Sequence, residues 1–265
     1  MLFDATYKSD EPITEQRLFG WHNALFPTGM SGLCKIKTAT WRDDSTGPMQ
    51  VVSGAMGKEK IHFQAPDATL VPAQMHQFLD WFNTKNIDDV LKAAVAHLWF
   101  VTIHPFEDGN GRIARTLTEL LLTRSDKSKL RFYSMSAQIR LERKAYYDIL
   151  EKTEQGGMDI TLWINWFLNC LKNAITTSEE TLTRVLQKAD FWKKHAETPL
   201  NERQVKMLNK LLDGFDGKLQ TSKWAKITKT STDTALRDIK DLIQKEVLQP
   251  TNEGGRNVNY ELKRD

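Results

Sequence analysis

The chain has 265 residues, 40% of them hydrophobic and 27% charged, with a formal net charge of +3. That length suits two domains, the composition is that of a globular protein with a core, and the near-neutral balance excludes a histone-like polycation while leaving room for a local basic face. Cys34 and Cys170 form no CxxC pair, no apolar run reaches the ~18 residues that span a bilayer, and the start MLFDATYKSDE lacks the order of a signal peptide, so a cytoplasmic chain with reduced thiols and no membrane partner is expected.

In chain order, residues Ile13–Phe26 place Leu18, Trp21, Leu25 and Phe26 on one helical face, and Pro27 and Gly29 stop that helix. A turn-rich region follows with two short strands, Met49–Ser53 and Lys60–Gln64, joined by GAMGKE as a hairpin over about 47–65. Pro72–Phe82 and Val90–Ile103 read as helices. The second is apolar nearly all round, the mark of a buried central helix. His104–Gly111 breaks it, Arg112–Thr123 resumes helical spacing, and Leu141–Glu154 and Ile160–Arg184 are further helices. His97 reads as a core histidine, and Trp163 and Trp166 as core aromatics.

Composition turns polar at Lys188–Pro199, which divides the chain into a domain over 1–190 and a second over 198–265. The second reads as helices Glu202–Leu212, Ser222–Ile227 and Thr232–Val247. Two strand-like pieces follow around Asn252–Arg256, the order of a small winged helix-turn-helix. Lys223, Lys226, Lys229, Thr232, Thr234 and Arg237 would cluster around its turn and recognition helix, with Arg256 on the wing. Interspersed Asp233, Asp238 and Asp241 leave DNA and protein contact, including a homodimer, both open.

The segment His104–Arg115, HPFEDGNGRIAR, carries the chemistry. Gly109 and Gly111 let backbone approach a ligand closely. The helix beginning near Asn110 aims free N–H groups and a positive dipole end at the same place, which makes an anion site. Arg112 and Arg115, three apart, carry guanidinium forks suited to phosphate oxygens. Asp108, a carboxylate beside an anion site, makes sense if Mg²⁺ bridges it to phosphate. His104 can take a proton near neutral pH. Each feature alone has an ordinary structural explanation; all of them within twelve residues describe nucleotide phosphate chemistry.

These twelve residues resemble the Fic-family signature HxFx[DE]GNGRxxR without a departure, and the likeness extends by element order over Pro12–Thr183. The resemblance implies a mainly α, Fic-type helical core with a β-hairpin flap. It also implies a protein adenylyltransferase, moving AMP from ATP to a Ser, Thr or Tyr hydroxyl of a protein. On that resemblance His104 is the general base, Phe106 a buried residue orienting the loop, and Asp108 the Mg²⁺ ligand. Gly109, Asn110 and Gly111 hold the α- and β-phosphates, and Arg112 and Arg115 the β/γ end of ATP. The hairpin is the flap that clamps an extended target segment, with Val51, Val52 and Ile61 over the modified side chain. Tyr147 and Leu150 stand for the base site, against the alternative that Tyr146 and Tyr147 only pack the helix. Two other functions stay open: a Fic-fold transferase using another donor (UTP, GTP, CDP-choline) or removing AMP, and a transcription regulator that senses nucleotide. The inhibitory helix pattern [ST]xxxE[GN] of many relatives has no match here. Ser53 with Gly57-Lys58-Glu59 comes nearest but has Gly where Glu is needed. A brake on Arg112 is therefore expected from a trimmed helix or an antitoxin-like partner, and the chain by itself is expected to be competent.

Overall fold

In a computed structural model, residues 1–45, 47–54, 60–251 and 258–263 are described. The chain forms two compact units, Met1–Ser178 and Glu179–Asp265. Among the described residues no helix is long and apolar enough to cross a membrane.

The first unit opens with α1 (Leu2–Tyr7) and α2 (Glu15–Leu25), then two short strands, β1 (Met30–Ser31) and β2 (Cys34–Lys35). Thr14 caps α2 by accepting the Arg17 N–H, which supplies one of the partners a helix start lacks. The hairpin consists of β3 (Gln50–Ser53) and β4 (Lys60–Gln64). They pair antiparallel, Val51 opposite Phe63 and Val52 opposite Ile61, so that His62 is the extra residue of a bulge. A 3-10 turn at Ala68–Leu70 leads into α3 (Val71–Thr84), followed by α4 (Asp89–Ile103) and α5 (Asn110–Asp126). Next come α6 (Met135–Leu141), α7 (Arg143–Glu154) and α8 (Thr161–Lys194).

Helices α4 and α5 are the centre of this unit. Ala93, Ala94, Ala96, Phe100, Ile113, Ala114, Leu117, Leu120 and Leu121 are fully buried. The small residues Ala93, Ala94 and Ala114 allow close helix packing, and Phe78, Phe82, Trp163 and Phe167 close the core around them. Trp163 donates its indole N–H to the Ala94 carbonyl at 2.8 Å. Cys170 is buried and Cys34 exposed, and both are free thiols.

The structure refines two expectations. The helix expected over Leu141–Glu154 starts two residues later, at Arg143: Glu142 leaves helical geometry at φ −94°, ψ 25°, and Leu141 ends a separate α6 that Ser134 caps. Helix α8 extends ten residues past Arg184 to Lys194, because Phe191 and Trp192 still have a core to pack on, that of the second unit. The division between the units falls inside α8, ahead of the polar stretch at Lys188–Pro199.

The second unit contains α9 (Glu202–Leu212), α10 (Thr221–Thr228) and α11 (Thr232–Gln244), then antiparallel β5 (Leu248–Pro250) and β6 (Tyr260–Leu262). Its core is Met207, Leu208, Trp224, Ala235, Ile239, Leu242 and Val247. Asn201 and Gln204 form a reciprocal capping box at the start of α9. Asn252–Arg256, with the wing arginine, lies outside the described residues.

His97 is a core histidine. Thr118 gives its hydroxyl proton to the Ala114 carbonyl, so it accepts from His97 Nδ1–H at 3.0 Å, and His97 Nε2 accepts from Tyr146 O–H at 3.0 Å. Burial brings its pKa down from 6.5 to about 3. The unfolded chain binds a proton there that the folded chain refuses, so stability is fully present above pH 6.5 and lost as pH falls. Urea unfolding between pH 7 and pH 4.5 is expected to lose about 1.4 kcal/mol per pH unit through this group. His97→Asn should flatten that slope; a variant as acid-sensitive as the parent would contradict it.

Candidate active site

The site begins where α4 stops. His104 ends the helix in the left-handed region, φ 52°, ψ 56°, with its N–H still on the Phe100 carbonyl. A side-chain-bearing residue pays about 1 kcal/mol or more to sit there, so something must hold it.

Arg42 does. Its guanidinium is completely buried. Nε donates to the His104 carbonyl at 2.7 Å, and Nη2 to Pro66 at 2.5 Å and to Ile103 at 3.5 Å. Its backbone N–H donates to the Pro105 carbonyl at 2.9 Å. Three successive carbonyls at a helix end, which the helix itself leaves without donors, are thus satisfied from one residue. Asp44 answers the charge at 3.4 Å and accepts the Ala68 N–H, tying the segment after β4 to the same point.

Three further contacts shape the loop. Asn110 folds its side chain back on Phe106, accepting the N–H at 2.9 Å and donating to the carbonyl at 2.8 Å. Phe106 is fully buried and stacks on His22 with ring centres 4.1 Å apart and planes 8° apart. His22 Nδ1 accepts the Ala39 N–H, so Nε2 carries the proton and donates to the Asp108 carbonyl at 3.1 Å. Burial, partly opposed by that carbonyl, holds the His22 pKa below the usual range, which keeps the ring neutral as this geometry requires.

The reacting face follows from this frame. The Val101 carbonyl can only accept, so the contact at 3.1 Å places the His104 proton on Nδ1 and leaves Nε2 as a bare acceptor. Burial lowers the His104 pKa, against the opposing pull of Val101, so the neutral form prevails at neutral pH. Gly109 sits at φ 88°, and a Cβ there would meet Phe26 Cε2 at 3.0 Å, so glycine is required twice over. The first N–H groups of α5, at Asn110 and Gly111, face outward from the helix start with no intrahelical acceptor.

These groups line a cleft of about 850 Å³. Its floor is His104, Asp108, Gly109, Asn110, Gly111 and Arg115. Met49–Ser53 of the flap form one wall, and Tyr146, Tyr147, Leu150, Glu151 and Glu154 of α7 the other. Tyr146 belongs to the core, while Tyr147 is 49% exposed, so the adjacent pair does part as expected. Val51 and Val52 line the cleft; Ile61, cross-strand from Val52, is 53% exposed and outside the lining.

The two arginines differ. Arg115 reaches the cleft and makes no ion pair among the described residues. Arg112 lies over the Phe26 ring at 4.5 Å and contacts Asp108 at 3.3 Å. Among the described residues Arg115 is thus the arginine of the cleft without an ion pair, while Arg112 is engaged by Asp108. The inhibitory pattern's nearest match, Gly57-Lys58-Glu59, lies outside the described residues. The Asn110 side chain is spent on Phe106, so its backbone, not its amide, faces an anion.

Asp108 fits a Mg²⁺ carried in with phosphates. Burial pushes its carboxyl up, but the Ser31 hydroxyl, the Gly109 N–H and Arg112 outweigh that and keep it ionised. Among the described residues no three metal-ligating side chains cluster. A single carboxylate therefore suits an ion completed by phosphate oxygens and water better than a caged one.

Arg42, His22 and Ser31 were not legible in sequence. All three come from stretches at or before the turn-rich region and meet the motif only through the fold.

Residues 12–122 match the Fic/DOC family. Protein adenylyltransferase fic-1 of Caenorhabditis elegans is 47% identical over 58 residues, 21% of this chain and 11% of that protein. Protein adenylyltransferase Fic of Aedes aegypti is 34% identical over 104 residues, 38% of this chain and 19% of that protein. The matches thus span less than a fifth of these relatives. A crystal structure of a Fic family protein from Desulfovibrio desulfuricans superposes with a TM-score of 0.52 at 21% identity, covering 99% of this chain and 73% of that one. A Fic domain signaling protein from Bacteroides thetaiotaomicron gives 0.52 at 23%, covering 67% and 66%. Both share the mainly helical fold.

Arg42→Ala should lower unfolding free energy by roughly 2–4 kcal/mol, since buried carbonyls lose a charged donor. Arg42→Lys should recover only part, because one ammonium cannot reach the His104 and Pro66 carbonyls in a fixed fork. Urea midpoints measure both; an Arg42→Ala midpoint equal to the parent would remove Arg42 from this role.

Proposed function

We propose, for a chain that carries a Fic/DOC family domain over residues 12–122, that it is a protein adenylyltransferase moving AMP from ATP to a protein hydroxyl. The observation that carries this reading is the placement of His104 Nε2, a bare acceptor, in one cleft with the α5 N-terminus and Arg115, which has no ion pair among the described residues.

The target hydroxyl attacks the α-phosphorus, a P–O bond forms, and the bond to the β-phosphate oxygen breaks to release pyrophosphate. His104 Nε2 takes the hydroxyl proton. The backbone N–H groups at Asn110 and Gly111 and the dipole of α5 hold the phosphate oxygens. Arg115 takes the negative charge that collects on the leaving pyrophosphate. Mg²⁺, when bound at Asp108, supplies charge neutralisation across the phosphates. Tyr147 and Leu150 flank the base end. The flap presents β3 to the cleft, where an extended target segment can add as a strand beneath Val51 and Val52. Should another nucleotide be the donor, the α7 wall decides it, and mass spectrometry of the adduct reads the group transferred.

A second activity for the C-terminal unit has one supporting observation. Asp238 is buried and bound by Arg203 at 2.8 Å, and Asp241 is engaged by Gln204 and Lys245. Those two acids are engaged internally, while Asp233 stays exposed at the start of α11 and Lys223, Lys226, Lys229 and Arg237 remain exposed on α10, its C-cap and α11. This favours nucleic acid over a neutral partner. Fluorescence anisotropy with duplex DNA is expected to show affinity falling with salt, and Arg237→Glu should weaken it; salt-independent or absent binding would leave protein contact as the role.

With labelled ATP and Mg²⁺, label should appear on the chain itself or on lysate proteins. His104→Ala should cut transfer by about 10²–10⁴-fold while ATP binding persists. Because His104 titrates below the ordinary 6.5, the acid limb of kcat/KM should lie below that pH and the rate should be flat above it. ATP binding without any label transfer would sink the enzymatic reading.

A further inference from the structure

Among the described residues, the strands of the flap hydrogen-bond to the helical body around one point of α7. Glu151 of α7 uses both carboxylate oxygens on the flap: Lys60 Nζ donates to Oε1 at 2.9 Å, and His62 Nδ1 meets Oε2 at 2.6 Å. His62 also reaches Ser53 Oγ across the hairpin through Nε2 at 2.6 Å, so the bond from α7 continues into β3. Gln155, one turn on, donates to the His62 carbonyl at 3.4 Å. Among the described residues, every hydrogen bond from β3–β4 to the helices ends at Glu151 or Gln155.

The position of this link matters. His62 is the bulged residue, so its side chain and carbonyl are both aimed away from the strand ladder and toward α7. With β4 facing α7, β3 is the edge left open, and β3 lines the cleft together with His62 and Phe63 of β4. The hairpin's apolar anchorage is partial: Val52 and Ile61 are about half exposed, and Val51 and Phe63 are only half-buried. A two-stranded hairpin alone in water is marginal. Its orientation over the floor of the cleft therefore draws on polar contacts, and among the described residues these are its hydrogen bonds to the helices.

We propose that Glu151 is a positioning residue that latches the flap to α7, so that the strand receiving the target is held by the same helix that forms the base side of the nucleotide cleft. This rests on the transferase reading above, and it adds that target capture is set from α7. Removing the latch leaves His104, Arg115 and the start of α5 in place, so nucleotide binding stays while target presentation is lost.

Hydrogen–deuterium exchange on the full chain tests the latch without reference to catalysis. Glu151→Ala is expected to speed exchange of the described 47–54 and 60–65 amides about tenfold, as loss of charged hydrogen bonds allows, with α4 and α5 unchanged. Lys60→Ala and His62→Asn should act in the same direction. In Lys60→Ala, whose side chain lies outside the cleft lining, titration with Mg-ATP should show affinity within about twofold of the parent, while label transfer to lysate proteins falls. Flap exchange equal to the parent in Glu151→Ala would overturn the proposal. If Glu151→Ala loosened the whole unit, parent-like flap exchange in both Lys60→Ala and His62→Asn would overturn it instead. A parent protein that transfers no label would defeat the transferase reading, and the exchange data would still decide the latch.

Discussion

The buried guanidinium of Arg42 is the constraint on which the site depends. An α-helix ending inside a protein leaves carbonyls without donors, and a left-handed residue at that end costs backbone energy. Arg42 answers both, gripping the carbonyls of Ile103 and His104 with its side chain and that of Pro105 with its backbone. Without it the break between α4 and α5 would have no reason to hold one shape. With it, the His104 ring is fixed against Val101 and its free nitrogen is committed to the cleft.

The rest of the loop repeats the same solution with other groups. Asn110 closes a ring on Phe106, Phe106 stacks on His22, and His22 holds the Asp108 carbonyl. Asn110 and His22 are buried polar side chains with a hydrogen-bond partner at each nitrogen and oxygen, which is the condition under which such a network rigidifies a site instead of weakening it. What remains unsatisfied is concentrated on the open side: the first N–H groups of α5, the Arg115 guanidinium and His104 Nε2. An anion arriving there finds donors already oriented, so little reorganisation is left for the chemical step.

The flap follows a different logic. Its hydrogen bonds to the helices run through a partly exposed ion pair and a histidine, and such contacts are individually weak and sensitive to their surroundings. That suits an element that must admit a peptide and still align it. The nucleotide end of the cleft is thus built for rigidity and the target end for exchange, and α7 touches both.

Much of this was legible in the chain itself. The period of Val90–Ile103 marks a buried helix, the glycines and the abrupt loss of period at His104 mark the break, and the twelve residues from His104 to Arg115 state the phosphate chemistry, because all of that information is local. The helical extent of Glu202–Leu212 and the strand Lys60–Gln64 emerged with the bounds the sequence implies. Only the tertiary structure decided which arginine faces the cleft, since Arg112 and Arg115 are equivalent in spacing but only Arg112 has Phe26 and Asp108 to lie against. It also gave the Asn110 side chain the part of a loop clasp, set Ile61 outside the cleft, and placed a separate helix before Arg143. Arg42, His22 and Glu151 could not be found by pattern, because their roles come from partners tens of residues away. Local sequence names the reactive groups; long-range hydrogen bonds decide which of them are left free to react.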